Sequence, residues 1–273
     1  MNMRMRNKIA GAIYGFAIGD AMGATTEFMT AEQIQKKYGQ VTDIIGGGWL
    51  HLQPGEITDD TQMTMCVMSA IMRQPKHPEQ FIKYCEDNFI HWINSKPKDV
   101  GAQCARAIHN LMFGMKVPID NQALGNGSLM RAMPLAVINL PFHNILQGRV
   151  THNNQFCSNI IFKYSGLIQD YLNDRRVDKY TDKIKGLLEP SGYIVNTFNN
   201  SVYWSCKDSF EEAIIGAVNH GGDADTIAAI TGSLAGAKFG YNEIPKKWIK
   251  QLNPDVKEFL EKFKNFAFSC LQI

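Results

Sequence analysis

The sequence predicts an all-α fold, a compact single-domain globule of roughly ten helices over residues 1–273. Apolar residues recur at the three- and four-residue spacings of helices along most of the chain, whereas the strict alternation of a half-buried strand is scarce. No Pro-, Gly- or Ser-rich linker divides the chain. With 273 residues and 45% hydrophobic content, the chain is long enough to bury one substantial core.

Taken in chain order, five stretches place their apolar side chains on one face at helical spacing. These stretches are residues 8–18, 79–94, 154–173, 211–219 and 225–239. Pro78, directly before the second stretch, is a typical residue at a helix start. In the last stretch and just beyond it, Gly232, Gly236 and Gly240 recur at every fourth residue. Because glycine weakens a helix interior, this glycine face predicts close contact with a neighbouring helix.

Composition and charge exclude several classes of protein. The chain has 28 Lys and Arg against 26 Asp and Glu, and neither sign forms a long block. We therefore expect no membrane surface as a partner, and no nucleic acid other than a modified one as substrate. No apolar stretch reaches the ~20 residues that a transmembrane helix needs.

The N-terminus and the cysteines predict the compartment. Basic residues before an apolar stretch imitate a signal peptide, but Asp20 interrupts the apolar run, so we expect no secretion. The six cysteines include no CxxC pair, which suits reduced thiols in the cytoplasm. We expect a cytoplasmic monomer.

Two acidic blocks stand directly before apolar or small-residue helices: TDDT at residues 58–61 and GDADT at residues 222–226. Either block alone can be explained as a helix N-cap, because Thr and Asp are favoured there. If the blocks converge, each carboxylate pair at ~4 Å costs about 4 kcal/mol at an effective dielectric of ~20, unless protons or cations offset it. Oxygen ligands without His or Cys suit Mg²⁺ or Mn²⁺, and we expect a pair of such ions.

The most specific signal in the chain is a set of five segments in a fixed order. They are GDAMGATTEF (19–28), GGGWLHLQPGEITDDTQM (46–63), KDVG (98–101), GNGSLMRAMP (125–134) and NHGGDADTIAAITGSLAGAKFG (219–240). Together they resemble the ADP-ribosylglycohydrolase family, and GGGW, TDDT and KDVG are most similar to its arginine-specific bacterial members. The resemblance implies an all-helical single-domain fold, a binuclear Mg²⁺ or Mn²⁺ site, and hydrolysis of an ADP-ribosyl bond.

The resemblance also implies a role for each matched acidic residue. The family's metal ligands fall on Thr58, Asp59, Asp60, Asp223, Asp225 and Thr226. Glu27 and Asp99 match the catalytic acids: the first lies beside the metals in relatives, and the second matches a base that acts on the substrate ribose. Without the resemblance, Glu27 is equally consistent with a solvated loop residue and Asp99 with a helix N-cap.

Substrate binding is implied for a second set of residues. They are Gly125, Asn126, Gly127, Ser128, His152 and Tyr193. The glycines let the backbone approach a diphosphate, which N–H groups ahead of a helix in LMRAM would bind. Without its place between the two acidic blocks, GNGS is equally typical of an ordinary turn. His152 matches a family histidine near the ribose and diphosphate, and Tyr193 would stack on adenine. The alternatives are a helix-capping or surface histidine and a core tyrosine. Arg131 is either an anion ligand or a structural ion-pair donor, and we favour the structural role for it and for His220.

These assignments predict an enzyme that releases ADP-ribose from arginine in a modified protein, and so reverses mono-ADP-ribosylation. Linkage to serine, a nucleobase or a small molecule stays open, as does a catalytically silent ADP-ribose-binding relative. A metal-independent glycosidase, with two acids ~5 to 9.5 Å apart, is a further alternative. Trp49, in GGGW, is expected to flank the cleft.

Overall fold

The computed structural model describes residues 3–271. Within them the chain forms fourteen α-helices: α1 Met3–Gly23, α2 Ala31–Tyr38, α3 Asp59–Met72, α4 Pro78–Asn94, α5 Ala102–Met112, α6 Met133–Val137, α7 Pro141–Arg149, α8 Gln155–Leu172, α9 Asp178–Thr181, α10 Ile194–Ser205, α11 Phe210–His220, α12 Ala224–Phe239, α13 Lys246–Gln251 and α14 Pro254–Cys270. Two 3₁₀-helices are Asn126–Ser128 and Tyr241–Glu243. These described residues form no β-strand; they contain isolated bridges between Thr30 and Gly221, Gly47 and Leu52, and Gly125 and Tyr193.

The predicted all-α fold is confirmed, although the helices are more numerous than expected. α6, α9 and α13 contain 5, 4 and 6 residues, which is too short for apolar periodicity to be recognised. Four of the five predicted stretches match α4, α8, α11 and α12 closely. α1 extends beyond its predicted range at both ends. Its C-terminal limit was missed because the helix is buried on every side from Lys8 to Gly23, so no polar face marks where it ends.

α1 and α12 lie at the centre of the fold and touch through their backbones. A Cβ atom at Gly232 or Gly236 would collide with the backbone carbonyl of Gly15 or Gly11, respectively. The predicted close contact is therefore confirmed for these two glycines of α12. Gly240 lies beyond the last turn and ends α12 with a φ of 96°. Its backbone still contacts α1, because a Cβ atom at Gly11 would lie 2.7 Å from the carbonyl carbon of Gly240, so the close contact is confirmed there too.

The two central helices run antiparallel, which brings the end of α1 to the start of α12. A Cβ atom at Gly23 would lie 2.6 Å from Cα of Asp225. The other helices surround this pair: α10 and α11 pack on α12, α8 packs on α6 and α7, and α3 packs on α4 and α14. The buried apolar side chains form one contiguous core cluster and a small second cluster of Ala24, Leu50 and Leu52.

Two expectations about the chain can be compared with this fold. All six cysteines are free thiols, as their spacing predicts. Among the helices described, none combines the length and the apolar character that crossing a membrane would require.

Replacing Gly15 by Ala is expected to destabilise the protein, although Ala favours a helix interior by about 1 kcal/mol over Gly. The new methyl group would press on the Gly232 backbone and the Phe210 ring. We expect a net loss of about 2 kcal/mol in the free energy of unfolding, measured in urea. Gly166→Ala in α8 is the matched control, because its Cβ would meet the movable side chain of Tyr180. Equal losses in both variants would contradict a backbone contact between α1 and α12.

Candidate active site

The two acidic blocks meet where α1 ends and α12 begins. The hydroxyl of Thr226 donates a hydrogen bond to Oδ2 of Asp60, 3.2 Å away, across 166 residues of sequence. Carboxylate oxygens of Glu27, Asp223 and Asp225 lie within 4.8 Å of one another. A cavity of about 400 Å³, here called the acidic cavity, is lined by Glu27, Asp59, Asp60, Asp99, Asp223, Asp225 and Thr226 together with uncharged residues. The convergence expected from the sequence is thus present.

Helix starts position these carboxylates. α3 begins at Asp59, directly after its N-cap Thr58, whose hydroxyl oxygen accepts a hydrogen bond from the N–H of Asp60 at 3.3 Å. α12 begins at Ala224, directly after Asp223. Because a helix N-terminus carries partial positive charge, each start offsets part of the negative charge placed there. Thr58 itself is buried and is not among the residues that line the acidic cavity.

Asp20 of α1 supports the site and was missed in the sequence. It is fully buried, and its carboxylate accepts hydrogen bonds from the Thr58 N–H at 3.1 Å, the Thr58 hydroxyl at 2.8 Å and the Thr61 N–H at 3.0 Å. Asp20 therefore fixes the start of α3, on which two carboxylates of the site depend. The available signal was a single acid inside an apolar helix, since a buried charge needs partners.

Glu27 lies in the wall of the acidic cavity beneath an exposed aromatic pair. It is 5% exposed, and its Oε2 accepts a 2.6 Å hydrogen bond from Nε1 of Trp49, so it is not a solvated loop residue. Trp49 lines the cavity as predicted, with its ring centroid 5.4 Å from that of Phe28. Phe28 has a left-handed φ of 61°, and its N–H donates to the carbonyl of Gly222 at 2.7 Å. The surrounding structure thus holds a strained aromatic residue at the rim.

Asp99 precedes α5 and is partly exposed at the acidic cavity. Burial raises the pKa of its carboxyl group, and interactions with the N–H of Val100 and the carboxyl group of Asp59 oppose that rise. The N-cap of α5 is Gly101, which makes no side-chain cap hydrogen bond, so the alternative role of Asp99 as a helix cap is wrong. A carboxyl group that reaches both solvent and the buried acids has the access that proton transfer requires.

The structure brings four of the six predicted substrate-binding residues to the acidic cavity. These four are Gly125, Asn126, Gly127 and His152. Ser128 is fully buried and lies outside the lining residues. Tyr193 also lies outside them; it is 40% exposed, and its backbone pairs with that of Gly125, which places it beside the cavity and not in the core.

The segment around Asn126 differs from its sequence interpretation in two ways. The side-chain amide of Asn126 donates hydrogen bonds to Asp223 and, at 3.0 Å, to Thr197, so it orients a carboxylate of the site. The helix expected in LMRAM is absent, because Pro134 sets the start of α6 at Met133. Between α5 and α6, the described residues form one short regular element, the 3₁₀-helix Asn126–Ser128. An anion bound here would therefore contact a short turn and glycine backbone.

Two basic residues singled out in the sequence lie outside the acidic cavity. Arg131 is fully buried behind the Gly127 backbone, whose carbonyl accepts a 2.7 Å hydrogen bond from Nη1. No carboxylate pairs with Arg131 among residues 3–271, so its role is structural without the ion pair envisaged. His220 packs edge to face on Trp204, with ring centroids 6.0 Å apart.

Burial and like charge raise the pKa of the acids at this site. Burial is the main cause that raises the pKa of Asp59 and of Glu27 to about 8 and that of Asp20 to about 6. Burial, followed by neighbouring carboxylates, holds the pKa of Asp60 and of Asp225 well above the usual range. In the described part of the chain, no Lys or Arg lines the acidic cavity, so no side-chain cation offsets this negative charge.

The donor set fits divalent cations. Oδ1 of Asp60 is buried, and no hydrogen-bond partner reaches it from the described residues. The carboxylates of Glu27, Asp223 and Asp225 converge on one volume, and every candidate ligand atom is oxygen. Hard cations such as Mg²⁺ and Mn²⁺ prefer such ligands.

Divalent cations are expected to raise the melting temperature, and to do so more at pH 8 than at pH 6. A carboxyl group whose pKa is raised by folding stabilises the fold when protonated, and this stability is lost as the pH rises from about 4 through the folded-state values. Those values are about 6 for Asp20 and about 8 for Asp59 and Glu27. Melting curves with Mg²⁺, Mn²⁺ or EDTA, with NaCl at equal ionic strength as control, measure the effect. Identical curves in all four solutions would refute it.

Comparisons with known proteins show which family the chain resembles. The family described as ADP-ribosylglycohydrolase matches residues 1–269. The chain is 34% identical to the ADP-ribosyl-[dinitrogen reductase] glycohydrolase of Rhodospirillum rubrum over 93% of this chain and 92% of that protein. It is 28% identical to the ADP-ribosylarginine hydrolase Tri1 of Serratia proteamaculans over 90% of this chain and 75% of that protein. A solved structure described as an ADP-ribosylglycohydrolase-related protein complex superposes with a TM-score of 0.80 at 25% identity, covering 99% of both chains. The chain therefore belongs to the ADP-ribosylglycohydrolase family.

Proposed function

We propose that this protein hydrolyses the glycosidic bond between ADP-ribose and an arginine side chain of a modified protein, with two divalent cations, Mg²⁺ or Mn²⁺, as cofactors. The observation that carries the proposal is the acidic cavity, in which buried carboxylates converge without a basic side chain while one further acid, Asp99, stays accessible. The family, and the activities for which the two relatives are named, support it. We further propose a monomer that acts in the cytoplasm.

The cations would be held by Thr58, Asp59, Asp60, Asp223, Asp225 and Thr226. Bound there, divalent ions polarise hydroxyl oxygens and stabilise developing negative charge. Thr58 stands behind the carboxylates, with its proton donated to Asp20, so it would offer a lone pair of its hydroxyl oxygen. Glu27 converges with Asp223 and Asp225, and we add it as a further candidate ligand.

Asp99 would move the proton. In hydrolysis, the oxygen of water bonds to the anomeric carbon of the ribose while the bond from that carbon to the guanidine nitrogen breaks. The proton that water loses would pass to Asp99 and then to the departing nitrogen. Burial raises the pKa of the Asp99 carboxyl group, which suits a group that alternately accepts and donates a proton.

The Gly125–Gly127 segment would position the substrate by its diphosphate. Side chains are absent at Gly125 and Gly127, where a Cβ atom would crowd the His152 ring at 3.3 Å and 3.0 Å, respectively. Both glycines therefore leave room for a ligand beside this ring. Holding the diphosphate there fixes where the anomeric carbon lies, and such orientation contributes several kcal/mol to a rate enhancement.

Arginine is the acceptor that the charge of the cavity favours. A leaving group that is a guanidinium cation is attracted to a site rich in carboxylates and without Lys or Arg in its lining. A serine hydroxyl is neutral and gains nothing comparable. We expect kcat/KM for ADP-ribosyl-arginine peptides to exceed that for ADP-ribosyl-serine peptides by at least about tenfold, or about 1.4 kcal/mol in transition-state binding.

Release of ADP-ribose from both peptides, with Mg²⁺ or Mn²⁺ and with EDTA, tests the proposal. A preference for serine would overturn the choice of acceptor and leave the hydrolase activity standing. Full activity in excess EDTA would overturn the metal dependence. No release from either peptide or from a nucleobase adduct, with either cation, would overturn hydrolysis itself.

A further inference from the structure

Arg131 is a buried cation whose donors are all used without a carboxylate. A guanidinium has five N–H groups. In this protein they donate to the side-chain and backbone oxygens of Gln147 at 2.8 and 2.9 Å, the carbonyl of Gly127 at 2.7 Å, Sγ of Cys104 at 3.7 Å and the hydroxyl of Thr151 at 2.8 Å. The guanidinium also lies over the Phe89 ring, 4.6 Å from its centroid. A positive charge without a counter-ion thus stands directly behind Gly127, at the wall of the acidic cavity.

The hydroxyl of Thr151 connects the guanidinium of Arg131 to the ring of His152 through hydrogen bonds. Arginine can only donate, so the Thr151 oxygen accepts from Arg131. The same oxygen lies 2.8 Å from Nδ1 of His152. The thiol of Cys104 also donates to this oxygen, weakly, with Sγ 4.0 Å away, so Nδ1 is the acceptor left for the hydroxyl proton among the described contacts. The strong hydrogen bond therefore runs from the Thr151 hydroxyl to Nδ1, and the ring proton resides on Nε2.

That proton points at the acidic cavity and has no partner in the protein. His152 is 2% exposed and lines the cavity, with Nε2 3.3 Å from the position that a Cβ atom of Gly125 would take. The described residues offer Nε2 no hydrogen bond; the ring's one such contact is at Nδ1. An N–H that faces a cavity and has no protein partner is free to donate to an acceptor of a ligand.

We propose that Arg131 and Thr151 are positioning residues that hold His152 as the Nε2–H tautomer, so that a neutral imidazole donates a hydrogen bond to a diphosphate oxygen of the substrate. The identity of the acceptor rests on the proposed function; the tautomer does not. A diphosphate suits the place because it offers only acceptors, and because the uncompensated charge of Arg131 lies behind the loop that the diphosphate would touch. The acid-rich part of the cavity and the Nε2–H of His152 would then bind different parts of one substrate, the bond to arginine and the diphosphate.

Nitrogen-detected spectra of the ¹⁵N-labelled wild-type protein test the tautomer directly, with the His152 signals assigned by their loss in His152→Gln. We expect a protonated Nε2 and an unprotonated Nδ1, and saturating ADP-ribose should move the Nε2 signal while adenosine, which lacks phosphate, should not. A ring protonated at Nδ1, or a Nε2 signal that ADP-ribose leaves unmoved, would overturn the proposal. These readouts need no turnover, so a protein that binds ADP-ribose but fails to hydrolyse any ADP-ribosyl bond would refute the proposed function alone.

Variants at Thr151 test whether its hydroxyl group sets the tautomer of His152. Thr151→Val removes the hydroxyl at nearly constant volume, and we expect a mixture of tautomers and about tenfold weaker binding of ADP-ribose by calorimetry. Thr151→Ser keeps the hydroxyl and should restore both the Nε2–H form and the affinity, which a purely structural role of the residue would not predict. His152→Gln, whose amide nitrogen can occupy the place of Nε2, should bind ADP-ribose more tightly than His152→Ala. Thr151→Val with wild-type spectra and affinity would show that the hydroxyl does not set the tautomer.

Discussion

Replacing Asp225 by Asn is expected to lower kcat/KM about 10³-fold, or about 4 kcal/mol, without loss of folding stability. Asp225 is 1% exposed, and burial followed by the charges of Glu27 and Asp60 raises its pKa well above the usual range. Asn has the same shape, and its oxygen can still accept the 2.9 Å hydrogen bond from the N–H of Thr226. The variant removes the negative charge of Asp225. That charge destabilises the fold when no cation is bound, and in the proposed function it holds a metal ion.

Two measurements separate these effects. The melting temperature of Asp225→Asn in EDTA should equal or exceed that of the wild type, while the rise caused by Mg²⁺ or Mn²⁺ should shrink. Asp182→Asn, an exposed acid beside α9, is the control and should change neither quantity. A variant that loses activity together with stability in EDTA would instead have a structural defect, and the proposed ligand role of Asp225 would be wrong.

Asp99→Asn should lower kcat about 10² to 10⁴-fold and leave cation binding nearly intact. Asp99 is partly exposed and lines the acidic cavity with Asp59, so an amide can keep the shape of the side chain but cannot take up a proton from water. The affinity for ADP-ribose should stay close to that of the wild type, because the diphosphate would bind at Gly125 and Gly127.

Rates with ADP-ribosyl-arginine, calorimetry with ADP-ribose, and melting curves with Mg²⁺ or Mn²⁺ together measure these quantities. The contrast with Asp225→Asn is the informative result: one variant loses turnover with the response to cations, and the other loses turnover alone. Near-normal kcat in Asp99→Asn would remove Asp99 from the proton-transfer role.

The sequence predicted the parts of the site whose chemistry is local. Asp59 and Asp60 are adjacent, Asp223 and Asp225 are two residues apart, and each pair stands at a helix start. The five segments that resemble the family also occur in an order and at a spacing that chance does not produce. The hydrogen bond from Thr226 to Asp60 agrees with the expected convergence of the two acidic blocks. Local sequence was sufficient here because each block carries its own helix start and its own charges.

The missed features depend on partners far along the chain. Asp20 looked like a break in an apolar run, and its role appears only when α3 folds back so that Thr58, 38 residues later, donates to it. Asn126 resembled a phosphate ligand, but its amide meets Asp223, 97 residues away. A side chain with both donors and acceptors can serve either partner, and only the tertiary fold decides which one.

The backbone contact between α1 and α12 has a consequence for how mutational data on this protein would read. In a saturation scan scored by activity, Gly11, Gly15, Gly19 and Gly23 should tolerate almost no substitution, at every fourth residue, although none lines the acidic cavity. Such a pattern would look like a row of catalytic positions. Its cause is that the carboxylates of Asp20 and Asp225 are carried by two helices with no side chain between them, so an added methyl group on one helix displaces the charges on the other.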